Sequence, residues 1–402
     1  SNPNPIYVKY GVGYFSNSGA TSSISSITAP QRTGYIFGGY YTSTNGSGTQ
    51  IITNTGSIIA STTTQFTGNA TIYARWTAER YAITLSVANG GTLASGIADN
   101  NNVIYAQYAS GTTYKESSVS AGSTVLKADA TRGGYALAGW FTSQTSGTKV
   151  IEADGTFVSN VSGYTNGSGQ WTRTSGVTLY AQWDNNSYKI TYKANEGTGA
   201  DQEQTVTFGQ NFTTKAANTF TRTGYTLSGW STSASSLQGS YQGTNSTYSY
   251  STIGNTVLYA YWTANVYTVS LDNQGATSAG TTVIYEKYAT GWYSNAGASI
   301  VFENNTIDKP TKTGYTFDGY YTETSGNGTQ IIDKNGKIVG VNTIFNGAAG
   351  TKYTIHAKWT ANSYTITYNS NYGTATTQTQ GVTYNATFTT KASNTFTRTG
   401  YT

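Results

Sequence analysis

The chain has 402 residues, including 47 glycines, 35 tyrosines and 8 tryptophans, with no cysteine or methionine and only 10% charged residues. No disulfide can staple it, and nothing in it is easily oxidised, which suits an exported protein although a reducing compartment would tolerate the same composition. The net charge of +5 is carried by 22 basic residues scattered without a run, which argues against nucleic-acid binding and leaves a mild attraction to anionic wall polymers or glycans.

From the N-terminus, Ile6-Tyr-Val-Lys-Tyr10 alternates as a strand does and returns as Ile104-Tyr-Ala-Gln-Tyr108 and Ile284-Tyr-Glu-Lys-Tyr288. Next comes an anchor motif, Arg32-Thr-Gly-Tyr-Ile-Phe-Gly-Gly-Tyr-Tyr-Thr42. It recurs as Arg132 to Thr142, Arg222 to Thr232 and Lys312 to Thr322, and breaks off at Arg398-Thr-Gly-Tyr-Thr402. The anchor tyrosines Tyr35, Tyr135, Tyr225, Tyr315 and Tyr401 are 100, 90, 90 and 86 residues apart, too long for a solenoid turn and right for a small domain.

After the anchor, Gly48 to Ile59, Gly147 to Val158 and Gly328 to Val339 share a pattern that predicts a β-hairpin, with Asn or Asp and Gly at the turn. The third and fifth copies instead share Phe212 to Thr226 and Phe388 to Thr402, which differ at one position and point to recent duplication. Each copy closes on an alternating motif ending in tryptophan: Ile72-Tyr-Ala-Arg-Trp76, Leu179-Tyr-Ala-Gln-Trp183, Leu258-Tyr-Ala-Tyr-Trp262 and Ile355-His-Ala-Lys-Trp359. The next copy opens within a few residues, at Tyr81-Ala-Ile-Thr-Leu85, Tyr188-Lys-Ile-Thr-Tyr192, Tyr267-Thr-Val-Ser-Leu271 and Tyr364-Thr-Ile-Thr-Tyr368. Links this short, with no Gly/Ser tract or Pro run, predict neighbours coupled in orientation and a semi-rigid rod.

The expected repeats are 1–78, lacking its first strand, then 79–185, 186–264, 265–361 and the first part of a fifth, 362–402. With nine leucines and abundant β-formers, the chain is expected to be mainly β, with little helix. Repeats of this size without disulfides must draw stability from aromatic burial. The expected core residues are Tyr35, Trp76, Tyr135, Trp140, Trp183, Tyr225, Trp230, Trp262, Tyr315 and Trp359, each large ring worth about 3 to 5 kcal/mol against alanine. The incomplete ends have two readings: cuts through a longer protein, in line with the absence of a starting Met, or fragments that complete each other head to tail, 364–402 of one subunit supplying strands to 1–78 of the next.

In this order, the opening Tyr-x-Ile-Thr-Tyr, the anchor Arg-Thr-Gly-Tyr and the closing Leu-Tyr-Ala-x-Trp closely resemble the Listeria-Bacteroides repeat, or internalin B-repeat, found in tandem on bacterial surface proteins. The resemblance implies small β-grasp-like units with at most a short helix, extracellular exposure, a stalk or adhesive role and no enzymatic activity. The longer second and fourth repeats depart from the usual size.

Chemistry is sparse. The one histidine, His356, fills the slot of Tyr73, Tyr180 and Tyr259 and reads as packing. Asp333-Lys-Asn-Gly336 and Glu152-Ala-Asp-Gly155 read as hairpin turns; unit one has Thr53-Asn-Thr-Gly56 there, and no bidentate acid follows. The arginines before each anchor tyrosine are placed to cover a ring. Neither a catalytic residue nor a cofactor or metal site is expected. Trp171, Trp292, Tyr241 and Tyr248, with Tyr250, lie outside the recurring motifs and are the candidates for glycan stacking. The expectation is thus a non-enzymatic, extracellular cell-surface stalk, adhesin or filament segment, with a glycan-binding surface module as alternative. Its partners would be copies of itself end to end or cell-wall or host glycans, with no nucleic acid and no membrane insertion.

Overall fold

The computed structural model describes residues 4–88, 90–96, 102–114, 129–372 and 376–402. The stretch 115–128, part of the region where the sequence predicts no amphipathic helix, lies outside them. Two compact units are present: Ser1–Tyr188 with Thr207–Gly209 and Ser251–Gly254, and Lys189–Val206 with Gln210–Tyr250 and Asn255–Thr402. The described residues are strands, turns and a few single 3-10 turns, the alternating motifs forming the strands.

In the first unit, the second copy of the motif set builds a six-stranded mixed sheet. Its opening strand Arg80–Ser86 lies between the second strand Val103–Gln107, antiparallel, and the closing strand Val177–Asn185, parallel. The anchor strand Tyr135–Phe141 pairs antiparallel with the other edge of the closing strand, and Lys149–Ile151 of the predicted hairpin flanks it. Alternation places Ile83, Leu85, Ile104 and Leu179 on one buried face, against Trp140, Ile151 and Trp171. The first copy has two separate three-stranded sheets: Tyr7–Lys9, Gly13–Phe15 and Ser23–Ile24 in one, and Gln50–Ile52, Tyr35–Tyr41 and Tyr73–Ala78 in the other. Among the described residues no opening strand lies between its second strand Tyr7–Lys9 and its closing strand Tyr73–Ala78.

In the second unit, the fourth copy repeats the order of the second. Gly291–Tyr293, Val283–Lys287, Val266–Asp272, Lys352–Ala361, Tyr315–Tyr321 and Gln330–Asp333 are neighbours in that sequence. The third copy has the same centre in four strands, Gln202–Thr207, Ser187–Lys193, Thr256–Ala264 and Tyr225–Ser231. Ser363–Asn369 and Thr377–Thr383 form a two-stranded ribbon.

Anchor and closing strands meet in one register everywhere: Phe37 faces Trp76, Leu137 Trp183, Leu227 Trp262 and Phe317 Trp359. Immediately after, each anchor strand carries a bulge, skipping Gly38, Ala138, Ser228 and Asp318. The recurring glycine of the anchor follows from it: Gly39 takes φ +111°, and a side chain there would run into the Ile52 carbonyl of the flanking hairpin strand. The bulge turns the next ring inward, so Trp140, Trp230 and Tyr320 have no exposed surface.

Candidate functional site

The feature built most consistently from the repeated residues is the joint between one copy and the next. A single residue separates each closing strand from the following opening strand: Glu79, Asn186, Asn265 and Asn362. Its backbone N–H donates to the carbonyl of the anchor glycine, Glu79 to Gly34 at 2.9 Å, Asn186 to Gly134 at 3.0 Å, and Asn265 to Gly224 and Asn362 to Gly314 at 2.9 Å each. Its own carbonyl accepts from an aromatic residue at the end of the next copy's second strand: Tyr108, Phe208 and Tyr288 at 2.9 Å and Tyr384 at 2.8 Å. One residue thus ties two copies through both of its backbone groups.

The aromatic ring completes the joint. Tyr108, Phe208, Tyr288 and Tyr384 meet Tyr35, Tyr135, Tyr225 and Tyr315 edge to face, at centroid separations of 5.6, 5.3, 5.5 and 5.5 Å. Each such pair adds about 0.5 to 1.5 kcal/mol beyond the area it buries. The ring lies directly over the anchor glycine, which holds φ between +77° and +82° at all four positions and has no room for a Cβ. The basic side chain three residues before the anchor tyrosine covers the same tyrosine: Arg32, Arg132 and Arg222 place their guanidinium 3.9, 3.9 and 4.0 Å from the ring centre, and Lys312 its Nζ at 4.8 Å. Here the charged head, and not only the alkyl stem, sits on the ring.

A second feature belongs to the first copy. Where the second and fourth copies hold an opening strand, it has a groove of about 920 Å³ walled by Ile6, Val8, Tyr14, Ile51, Phe66 and Ile72. In the fourth copy, a polar cleft of about 760 Å³ brings Lys309, Lys312, Lys334 and Asn335 beside Tyr315 and Trp359.

Residues 16–75, 81–182, 188–261 and 364–402 match the Listeria-Bacteroides repeat domain. The chain belongs to that family. Residues 265–361 lie outside the matched stretches yet carry the same motifs, strand order and bulge, so the Listeria-Bacteroides pattern is structurally continuous through them. The chain is also 28% identical over 260 residues to a protein of Evansella cellulosilytica described as a Gly-rich membrane protein; the match covers 63% of this chain and 26% of that protein. Among the described residues, no helix is long and apolar enough to cross a membrane.

The aromatics singled out from the Listeria-Bacteroides motifs divide into three roles. Trp140 and Trp230 are interior. Trp76, Trp183, Trp262 and Trp359 are half-buried lids. The indole N–H of Trp262 donates to the Ala194 and Asn195 carbonyls, at 3.0 and 2.9 Å, and that of Trp359 to the Asn273 carbonyl at 3.0 Å, so each closes over the turn that follows its own opening strand. Tyr35, Tyr135, Tyr225 and Tyr315 are half-buried joint residues, a role that the sequence did not assign to them.

The glycan candidates require a correction. Trp171 has no exposed surface, and Tyr241 and Trp292 are 4% and 7% exposed, while Tyr248 is half-buried against Phe212 and Tyr241. Trp171 packs on Phe157, and Trp292 donates its indole N–H to the Gly340 carbonyl at 3.0 Å. These rings fill the space that loops add to the core and offer no coplanar surface for a sugar. His356 Nδ1 lies 2.9 Å from Asp272 Oδ2, across the parallel pair of opening and closing strands. The Asp272 carboxyl is held below its usual range by the Gln274 backbone N–H and by His356. In the turn at 333–336, Asp333 Oδ1 accepts from the Asn335 and Lys337 N–H groups, at 2.8 and 2.9 Å, which occupies that oxygen in shaping the turn.

Proposed function

We propose that this chain is a non-enzymatic structural segment of a bacterial surface protein, a stalk, adhesin or filament part that lies outside the cell and holds its repeats as a semi-rigid rod. The repeats are bounded at 78, 185, 264 and 361, and the single residue between adjacent strands at each boundary supports that division. The observation carrying the reading is the joint, four times the same backbone pair, edge-to-face ring contact and glycine seat. A side chain selected for catalysis varies its surroundings around one site; here the same contacts recur at every link, as a load-transmitting array requires. The resemblance to a Gly-rich membrane protein adds support for an envelope location.

Immunogold microscopy of intact source cells, with antibody against this chain, tests the reading. Gold on projecting structures before permeabilisation is the expected result; label that appears only after permeabilisation overturns it.

A second reading is favoured by one observation, the cleft with Lys309, Lys312 and Lys334 beside Tyr315 and Trp359. Lys312 Nζ lies over the Tyr315 and Trp359 rings, and Lys309 and Lys334 share the cleft with it and with Asp308, a net positive lining that suits an anionic wall polymer or acidic glycan and would make the fourth repeat a contact point along the stalk. Titration with an acidic polysaccharide, before and after Lys309→Ala with Lys334→Ala, tests it: binding that the double variant does not weaken removes the cleft from consideration.

A further inference from the structure

We propose that the second, third and fourth repeats each bear tension, their opening and closing strands forming a shear clamp that a pull along the chain must break all at once. The proposal rests on the reading of the chain as a structural array, and names the force that the array resists.

The argument begins with the path of the chain. It enters each of these repeats through the opening strand and leaves through the closing strand, with a single joint residue before the next repeat. The two strands are direct neighbours and run parallel: 83–86 beside 177–180, 190–193 beside 256–259, and 268–272 beside 352–356. Entry and exit therefore lie at opposite ends of the pair. Tension drives the opening strand toward its own N-terminus and the closing strand toward its C-terminus, so the two must slide along each other. Every bond of the ladder then shares the load. An antiparallel pair in the same two places would put entry and exit at one end, where a pull opens the bonds one after another.

Packing supports the ladder. Leu85 and Leu179, Tyr192 and Leu258, and Leu271 and Ile355 are paired across the clamp and all are buried. Sliding must drag these side chains out of a close-packed interior before water reaches the bonds on that face. The other edge of each opening strand is covered by the second strand, which blocks escape sideways.

The three clamps are graded. In the second repeat the ladder has four paired residues, and the buried Trp183 indole N–H has no hydrogen-bond partner among the described residues. The third also pairs four, but Trp262 of its closing strand bonds the Ala194 and Asn195 carbonyls just beyond the opening strand, and the Lys189 N–H donates to Asn255 Oδ1 at 2.9 Å. Sliding stretches these bonds as well. The fourth pairs five residues and adds the Trp359 bond to the Asn273 carbonyl and the His356–Asp272 contact across its last pair. The force that each repeat withstands should rise in that order.

Single-molecule pulling on the full chain tests the clamp, with a peptide tag at each end and the substitution Ala349→Cys. The chain has no cysteine, so that thiol is unique, and Ala349 is exposed just before the closing strand Lys352–Ala361. Pulled between its two tags, the molecule loads all three repeats in shear, and each is identified by the length of chain it releases. The second repeat should yield before the third and the fourth last. Pulled between the N-terminal tag and the thiol, the same molecule feels the load at the N-terminal ends of both the fourth opening strand and the fourth closing strand. The fourth repeat is then peeled while the second and third stay in shear, and it should become the first of the three to yield. Equilibrium stability cannot produce that inversion, because one molecule is pulled in two directions and forced unfolding follows the barrier along the pull. A fourth repeat that yields at the same force in both geometries overturns the clamp, as does one that yields before the second when the chain is pulled between its tags. Either failure leaves the cell-surface reading standing, since that rests on where the gold label falls.

Discussion

The Tyr288 ring sits edge to face on Tyr225 at 5.5 Å and covers Gly224, whose φ of +77° and missing Cβ make the contact possible. The glycine of the Arg-Thr-Gly-Tyr motif is therefore a seat for the next repeat and not simply a turn residue. Gly224→Ala should destabilise the third–fourth joint through two separable effects, a strained backbone and a clash with Tyr288. Gly400 isolates the first: it has φ +82°, and a methyl group there would meet nothing within 4 Å. Calorimetric melts should show Gly400→Ala costing about 1 kcal/mol or less, and Gly224→Ala about 2 to 3 kcal/mol, from strain plus overpacking. Equal effects would show that the ring contact contributes nothing.

Trp262 should be required by the third repeat specifically. Its ring covers Gly197, its N–H bonds two carbonyls of the turn at 194–195, and it faces Leu227 across the anchor pair. Trp262→Ala removes all three and should cost about 3 to 5 kcal/mol. Amide exchange resolved by repeat should show the third repeat opening while the second keeps its protection. A variant that melts like the parent would remove the closing tryptophan from the core.

Trp171→Ala distinguishes core from ligand surface in the second repeat. The buried ring contacts Phe157 and Tyr164, so truncation should lower that repeat's stability by about 3 to 5 kcal/mol. Its unfolding midpoint in denaturant reports the change. Sequence position alone misplaced this ring. Trp171 belongs to no recurring motif, and an aromatic without a counterpart in the other repeats looked available for binding. The fold explains it: an enlarged loop brings its own ring to fill the extra volume. The bulge that fixes Gly39 and its counterparts shows only in the strand register, whereas the strands and the hairpins were legible because alternation and turn chemistry are local. The joint was not, because Tyr35 and Tyr108, or Tyr135 and Phe208, lie far apart in sequence. An aromatic at the end of every second strand was the available sign, with Phe208 and Tyr384 hidden by the differing strand sequences before them.

Glu286 gives the fourth repeat a pH response that the second should lack. The two second strands align Val103-Ile-Tyr-Ala-Gln107 with Val283-Ile-Tyr-Glu-Lys287, so Glu286 occupies the inward slot of Ala106 and has no exposed surface. One carboxyl oxygen accepts from the Phe345 N–H at 3.3 Å, while Oε1 has no partner. Burial pushes its pKa up to about 7, against 4.5 for the ordinary group, and the Phe345 and Ile344 N–H groups only partly oppose the shift. Because the folded state holds the proton more tightly than the unfolded chain, the stabilisation is complete below about pH 4.5 and is lost as pH rises through about 7. The shift corresponds to roughly 3 kcal/mol. Asp272, in the same repeat, has a lowered pKa, so its contribution is lost only on acidification below the ordinary carboxylate range, outside the window from pH 5 to 8. The fourth repeat should therefore melt higher at pH 5 than at pH 8, and Glu286→Gln should flatten that slope, because the amide keeps the shape of the group without its titration. Melts followed by amide exchange at the two pH values decide the matter: a fourth repeat equally stable at both would mean that the carboxyl reaches water on opening too slight to unfold the strand.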